Sequence, residues 1–181
     1  MKKIYLTLCI VYTLTILTVL TVKDIQADVN YLEYLDRAAN ANSCELCLEQ
    51  LETAIASIEE RGLTNGYTSI LYNSPNENLT FWYTNIITCR DELLKVDENT
   101  TQLETSNLLL KVRESLTTRG ENGSSVVIYP SGISLYPNNT LWCVLIWLIL
   151  VVWLMWIPIY WKEFKMKIDE KNKDKRLSNT R

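Results

Sequence analysis

Histidine is missing from all 181 residues. Its absence removes the usual general base for a serine or cysteine nucleophile. It also removes zinc, because no second cysteine pair completes a set of four ligands. Five glycines leave no glycine-rich loop to cradle a phosphate, and nothing else points to a cofactor. Basic residues are scarce across the middle of the chain. Between Asp24 and Thr140 stand 17 Asp and Glu against 7 Lys and Arg, a net −10. Phosphate binding needs basic patches, so nucleic acid is not an expected partner. The neighbouring carboxylates Glu59 and Glu60, and Asp91 and Glu92, would point to different faces of a helix and read as solvated surface.

Two long apolar runs are present. Leu141 to Trp161 carries no charged residue, and at about 1.5 Å per residue it spans roughly the thickness of a hydrocarbon core. Trp142 at one end and Tyr160, Trp161 and Lys162 at the other are the expected interface anchors. Trp147, Trp153 and Trp156 lie deeper; without small-xxx-small spacing they read as lipid contacts rather than a pairing surface. The tail, residues 162–181, holds 8 basic and 4 acidic residues, which fits the cytoplasmic side of a membrane. The first run, Ile4 to Val22, follows Lys2 and Lys3 and has the pattern of a secretory signal peptide over residues 1–27. Cleavage is expected after Ala27 or near Val19-Leu20-Thr21. An uncleaved anchor, with the chain crossing twice, is the alternative. Residues 28–140 then form a lumenal or extracellular domain. Four sequons lie there, at Asn78, Asn99, Asn122 and Asn138, and mark it as a glycoprotein if the host glycosylates.

The expected fold is mainly α: a small helical bundle with a short β-hairpin, followed by one transmembrane helix. Asn42 or Ser43 caps a helix ending at Gly62, with Cys44, Leu48, Leu51, Ile55 and Ile58 on one seam. The spacing of Trp82, Ile86, Cys89, Leu93 and Val96 predicts a helix over 80–96. Leu109, Val112 and Leu116 predict another over 101–118, and Tyr31 to Ala41 a short one before them. Within 125–136, Val126 to Tyr129 and Ile133 to Tyr136 read as two strands around Pro130-Ser131-Gly132. Tyr67, Tyr72, Phe81 and Tyr83 cluster around the loop at residues 63–83, either as a recognition surface or as a lid on the bundle.

Cys44, Cys47 and Cys89 are disulfide candidates, since Cys9 and Cys143 fall in the apolar runs. Cys44 and Cys89 lie on apolar seams, Cys47 competes for the same partner, and one thiol is left over. That odd thiol leads either to a disulfide-linked homodimer or to a buried free cysteine. Cys44-Glu45-Leu46-Cys47 at a helix start also offers a second class of function, a membrane-tethered thiol oxidoreductase. No flanking strands are readable for such a fold. A third reading gives the Trp-rich helix a membrane-embedded role in assembling a complex.

The order of bundle, C-x-x-C, hairpin and anchor resembles that of gamete-surface proteins of the Izumo type. Those carry more cysteines, including a second C-x-x-C that has no counterpart here, so no residue role carries over. The compact plan also looks like that of envelope or accessory glycoproteins of animal viruses, at the level of architecture alone. The leading expectation is a non-enzymatic type I membrane glycoprotein whose outer domain binds another membrane or cell-surface protein.

Overall fold

Ser43 has extended backbone, and its hydroxyl accepts from the Leu46 N–H at 3.3 Å, which fixes the start of a helix over Cys44–Glu60 (α3). The cap is Ser43 alone. The helix stops in a Schellman motif: Gly62 takes φ +68°, Leu63 N–H reaches Ile58 O (3.0 Å), and Gly62 N–H reaches Glu59 O (2.9 Å). Ile58 and Leu63, the pair that accompanies this motif, are both buried.

The computed structural model describes residues 2–120 and 123–178. Contacts divide the chain into two compact units, residues 19–140 and residues 1–18 with 141–181. Besides α3, the helices are α1 (Lys2–Ala27), α2 (Glu33–Ala39), α4 (Leu79–Leu93), α5 (Gln102–Leu116) and α6 (Asn139–Ser178). A π-helical turn, Asp28–Leu32, joins α1 to α2 without a break. The chain is mainly helical, with one two-stranded antiparallel sheet.

In the first unit α2, α3, α4 and α5 pack α2 on α3, α3 on α4, α4 on α5 and α5 back on α2, closing a four-helix core. Leu35, Cys47, Leu51, Ala54, Ile58, Leu79 and Ile86 fill it. The seam of α4 is the expected one, with Leu79 added and Val96 beyond the helix end. That of α3 is rotated: Cys47, Leu51, Ala54, Ile55 and Ile58 are buried, whereas Cys44 and Leu48 flank the core. Ala54 carries little side chain and lets the neighbouring helix approach. Thr101 and Glu104 form the capping box that starts α5, a signature present but unread in the sequence. Arg113 closes the ring, donating to Ala39 O and Asn40 Oδ1 at 3.0 Å each, a cation on the carbonyl end of α2.

The hairpin differs from expectation. Its strands are β1 (Thr117–Arg119) and β2 (Ser125–Val127), with Thr117 opposite Val127. Thr117 takes extended backbone, so the last turn expected of the third helix is strand instead. Its β-branched neighbour Thr118 pairs with Val126. Residues 133–135, expected as a strand, form a 3-10 turn entered through Gly132 at φ +72°, and Ile133 is buried.

Two helical stretches, Ile4–Ala39 and Asn139–Ile168, are long and apolar enough to cross a membrane, on length and composition, and the second unit holds residues 4–18 and 141–168 of them. Tyr12 Oη donates to Leu145 O (3.2 Å), and Trp153 Nε1 donates to Thr13 Oγ1 (3.1 Å). Trp153 therefore meets a neighbouring helix, while Trp147 is exposed. The helix of α6 continues past Pro158 and through the described part of the tail.

Candidate functional site

Asn78 organises the start of α4. Its Oδ1 accepts from Phe81 N–H (3.0 Å), and its Nδ2 donates to Tyr67 Oη (3.3 Å). Behind it, Leu79 N–H donates to Gly66 O (3.0 Å) and Thr68 N–H to Glu77 O (3.0 Å). Gly66, at φ +95°, leaves room for the Tyr136 hydroxyl, which a Cβ there would meet at 2.7 Å. With the first turn of α4 fixed in this way, helical geometry turns Leu79 and Trp82 inward and Phe81 outward.

Trp82 then reaches across to the hairpin. Its Nε1 donates to Ile128 O at 2.8 Å, while Ile128 N–H donates to Leu116 O at 2.8 Å. Both polar groups of Ile128 are satisfied, and the chain after β2 is tied to α4 and to the end of α5. Between them opens a cleft of about 640 Å³. Phe81, Trp82 and Asn85 of α4 form one wall, Leu116 the end, and Val126 to Tyr129 the other wall. Phe81 is 63 % exposed, and Val126, Ile128 and Tyr129 are 43–45 % exposed. Among the described residues no Asp, Glu, Lys or Arg lines it. In a segment of net charge −10, that is a strong local departure. Nearby, Leu71 and Tyr72 project from the loop before Pro75, both more than four-fifths exposed.

The four loop aromatics do not form one surface. Phe81 enters the cleft, Tyr72 stands on the loop, Tyr67 is bonded to Asn78, and Tyr83 turns to Glu59 (2.5 Å). Two of the four carboxylates expected as solvated surface, Glu59 and Glu92, also carry links between helices. Glu59 holds Tyr83, and Glu92 pairs with Lys111 at 2.6 Å, joining α4 to α5.

Cys44, Cys47 and Cys89 are all free thiols here. Cys47 is wholly buried and donates to Ala38 O (3.3 Å), while Cys89 is buried and Cys44 half-buried. Burial pushes the Cys47 thiol up to about 12, with Cys44 and Cys89 adding to it. Burial also raises Cys44 and Cys89. A dithiol oxidoreductase needs the first thiol lowered, so this C-x-x-C is tuned in the opposite direction. Among the described residues no group of His, Cys, Asp or Glu could hold a metal ion.

Of the sequons, Asn78 is committed to the helix cap and borders the cleft. Asn99 lies in an exposed turn bonded to Asp97, Asn138 is exposed just before α6, and Asn122 lies outside the described residues. On α6, Tyr160, Trp161 and Lys162 are exposed and Trp142 is partly covered. Sequence reasoning missed the cleft because its walls come from residues 81–86, 115–118 and 126–131, brought together only by the displaced hairpin. The exposed Val-Val-Ile-Tyr run was the one available signal. No protein-family model, curated protein or solved structure matches the chain.

Proposed function

We propose that residues 19–140 form a non-enzymatic docking domain, held at a membrane by α6 and facing the lumen or the outside, that binds a protein partner in the cleft between α4 and β2. The single observation that carries this reading is the uncharged, mainly apolar, open lining of that cleft in a strongly acidic domain. Interface centres are depleted of charge and enriched in aromatic residues, and anchors that fill a desolvated pocket dominate binding energy. Phe81, Trp82 and Tyr129 supply the aromatics, and Asn85 supplies a neutral hydrogen-bonding group. The raised thiols of Cys44 and Cys47 weigh against the oxidoreductase alternative. The acidic segment, its sequons and the basic residues that follow Trp161 support the orientation.

Val126→Asp tests the proposal. Val126 is 44 % exposed, so the fold tolerates the change, while a carboxylate in the docked cleft would be desolvated. Cross-linking of the intact protein in its host membranes, followed by electrophoresis, should show at least a tenfold loss of complex, or about 1.4 kcal/mol. Leu103→Asp, at a more exposed position outside the cleft, should leave the complex intact. Full recovery with Val126→Asp, or equal loss from both variants, would refute the docking role of the cleft.

A further inference from the structure

We propose that α1 is retained in the mature protein and crosses the membrane as a second span, packed antiparallel on α6. Two sets of observations carry this, one from each compact unit.

In the folded domain, the segment ahead of Asp28 is part of the structure. Ala27 is 5 % exposed and belongs to the core with Tyr31 and Leu63. Asp24 accepts from the Ser134 hydroxyl at 2.6 Å. The bond from Ala27 to Asp28 lies inside continuous helix, where α1 passes into the π turn. Cleavage there would remove a core residue and the acceptor of Ser134.

In the other unit, α1 has a single covered stripe. Cys9 and Ile16 are 4 % and 8 % exposed, with Thr13 between them at spacings of 4 and 3. Ile4, Leu8, Val11, Leu14 and Leu17 are exposed, as lipid-facing residues are. The partner of the stripe is α6, through Tyr12 to Leu145 and Trp153 to Thr13. Leu6 shares a crevice with Ile157, Tyr160 and Trp161, so the residue number on α6 falls as that on α1 rises. The helices are antiparallel.

Two further features fit a retained span. Three threonine hydroxyls of this run are satisfied within the helix. Thr13, Thr15 and Thr18 donate to Cys9 O, Val11 O and Leu14 O at 2.8–2.9 Å. Antiparallel pairing also brings Lys2 and Lys3 to the same membrane face as Lys162, Lys165 and Lys167, as the positive-inside rule requires of both ends of a helical hairpin. Ile4 to Val22 is about 28 Å of helix, which matches a hydrocarbon core of about 30 Å.

The test uses the full chain, tagged ahead of Lys2 and after Arg181, in membranes of its host. Mass spectrometry of the isolated protein should recover the peptide containing Ile4. Protease added to sealed vesicles should remove or spare both tags together. A mature chain starting at or beyond residue 21, or tags on opposite sides of the membrane, would overturn the proposal. Neither result would touch the cleft, which lies within residues 75–131.

Discussion

Replacing Trp82 by alanine is expected to cost the domain about 3–5 kcal/mol, the range for removing a large buried aromatic. Trp82 is 6 % exposed, packs edge-to-face on Tyr31 with ring centroids 6.4 Å apart, and is the one tryptophan between residues 19 and 140. Urea unfolding followed by far-ultraviolet circular dichroism should register the loss as a lower midpoint. Trp82→Phe separates packing from anchoring. It keeps most of the apolar bulk and removes the donor to Ile128 O, at a cost of roughly 1–3 kcal/mol for the orphaned carbonyl. Hydrogen exchange at Val127 and Ile128 should speed up in the phenylalanine variant, while Leu51 and Ile58 in the core keep their protection. Unchanged exchange in the hairpin would mean that the indole does not fix the hairpin wall of the cleft.

The domain should also lose stability steeply in alkali. Cys47, pushed up to about 12 by burial, and Cys89, raised for the same reason, are held as neutral thiols by the fold. Tyr83, beside Glu59, is likewise pushed up to about 12, first by burial and then by the hydrogen bond to that carboxylate. In the unfolded chain these groups lose their protons first, near the ordinary thiol value of 9.0 and phenol value of 10.0. Above about pH 9 the folded state thus binds more protons than the unfolded one, and stability falls as pH rises. Cys47 alone contributes a slope of about 1.4 kcal/mol per pH unit between its unfolded and folded values. Thermal midpoints taken under reducing conditions should be flat from pH 7 to 9 and drop progressively from pH 9 to 11. Cys47→Ala should start lower and fall less steeply. A flat profile through pH 11 would contradict the burial of these groups.

What could be read from the sequence depended on where each signal was local. The seam of α4 was legible because Trp82, Ile86, Cys89 and Leu93 repeat at spacings of 4, 3 and 4, a longer regular series than the neighbouring Phe81, Tyr83, Ile87 and Leu94 offer. In α3 the apolar residues Cys44, Leu48, Leu51, Ile55 and Ile58 form one plausible stripe, and Cys47, Leu51, Ala54 and Ile58 form another. Only packing against α2 and α4 selects the second, since a cysteine and an alanine carry little hydrophobic weight alone. The hairpin was half legible. Val126-Val127 reads correctly as strand, but its partner is Thr117–Arg119, at the end of a helical pattern, and not the more β-like Ile133 to Tyr136. Gly132 and the burial of Ile133 decide that contest through tertiary packing. For the same reason the cleft was invisible: no sequence pattern says that Trp82 will bond to Ile128, 46 positions away. The continuity of α1 into the bundle was hidden too, because an apolar run after two lysines looks alike in a signal and in a span.

The most direct test of the docking account places a benzophenone amino acid at Phe81, which is 63 % exposed at the mouth of the cleft. The full-length protein is then irradiated in its own membranes. The account predicts one adduct of discrete mass, absent when Val126→Asp is present and absent when the same photoprobe replaces Leu103. No adduct from Phe81, or adducts of equal yield from Phe81 and Leu103, would contradict it.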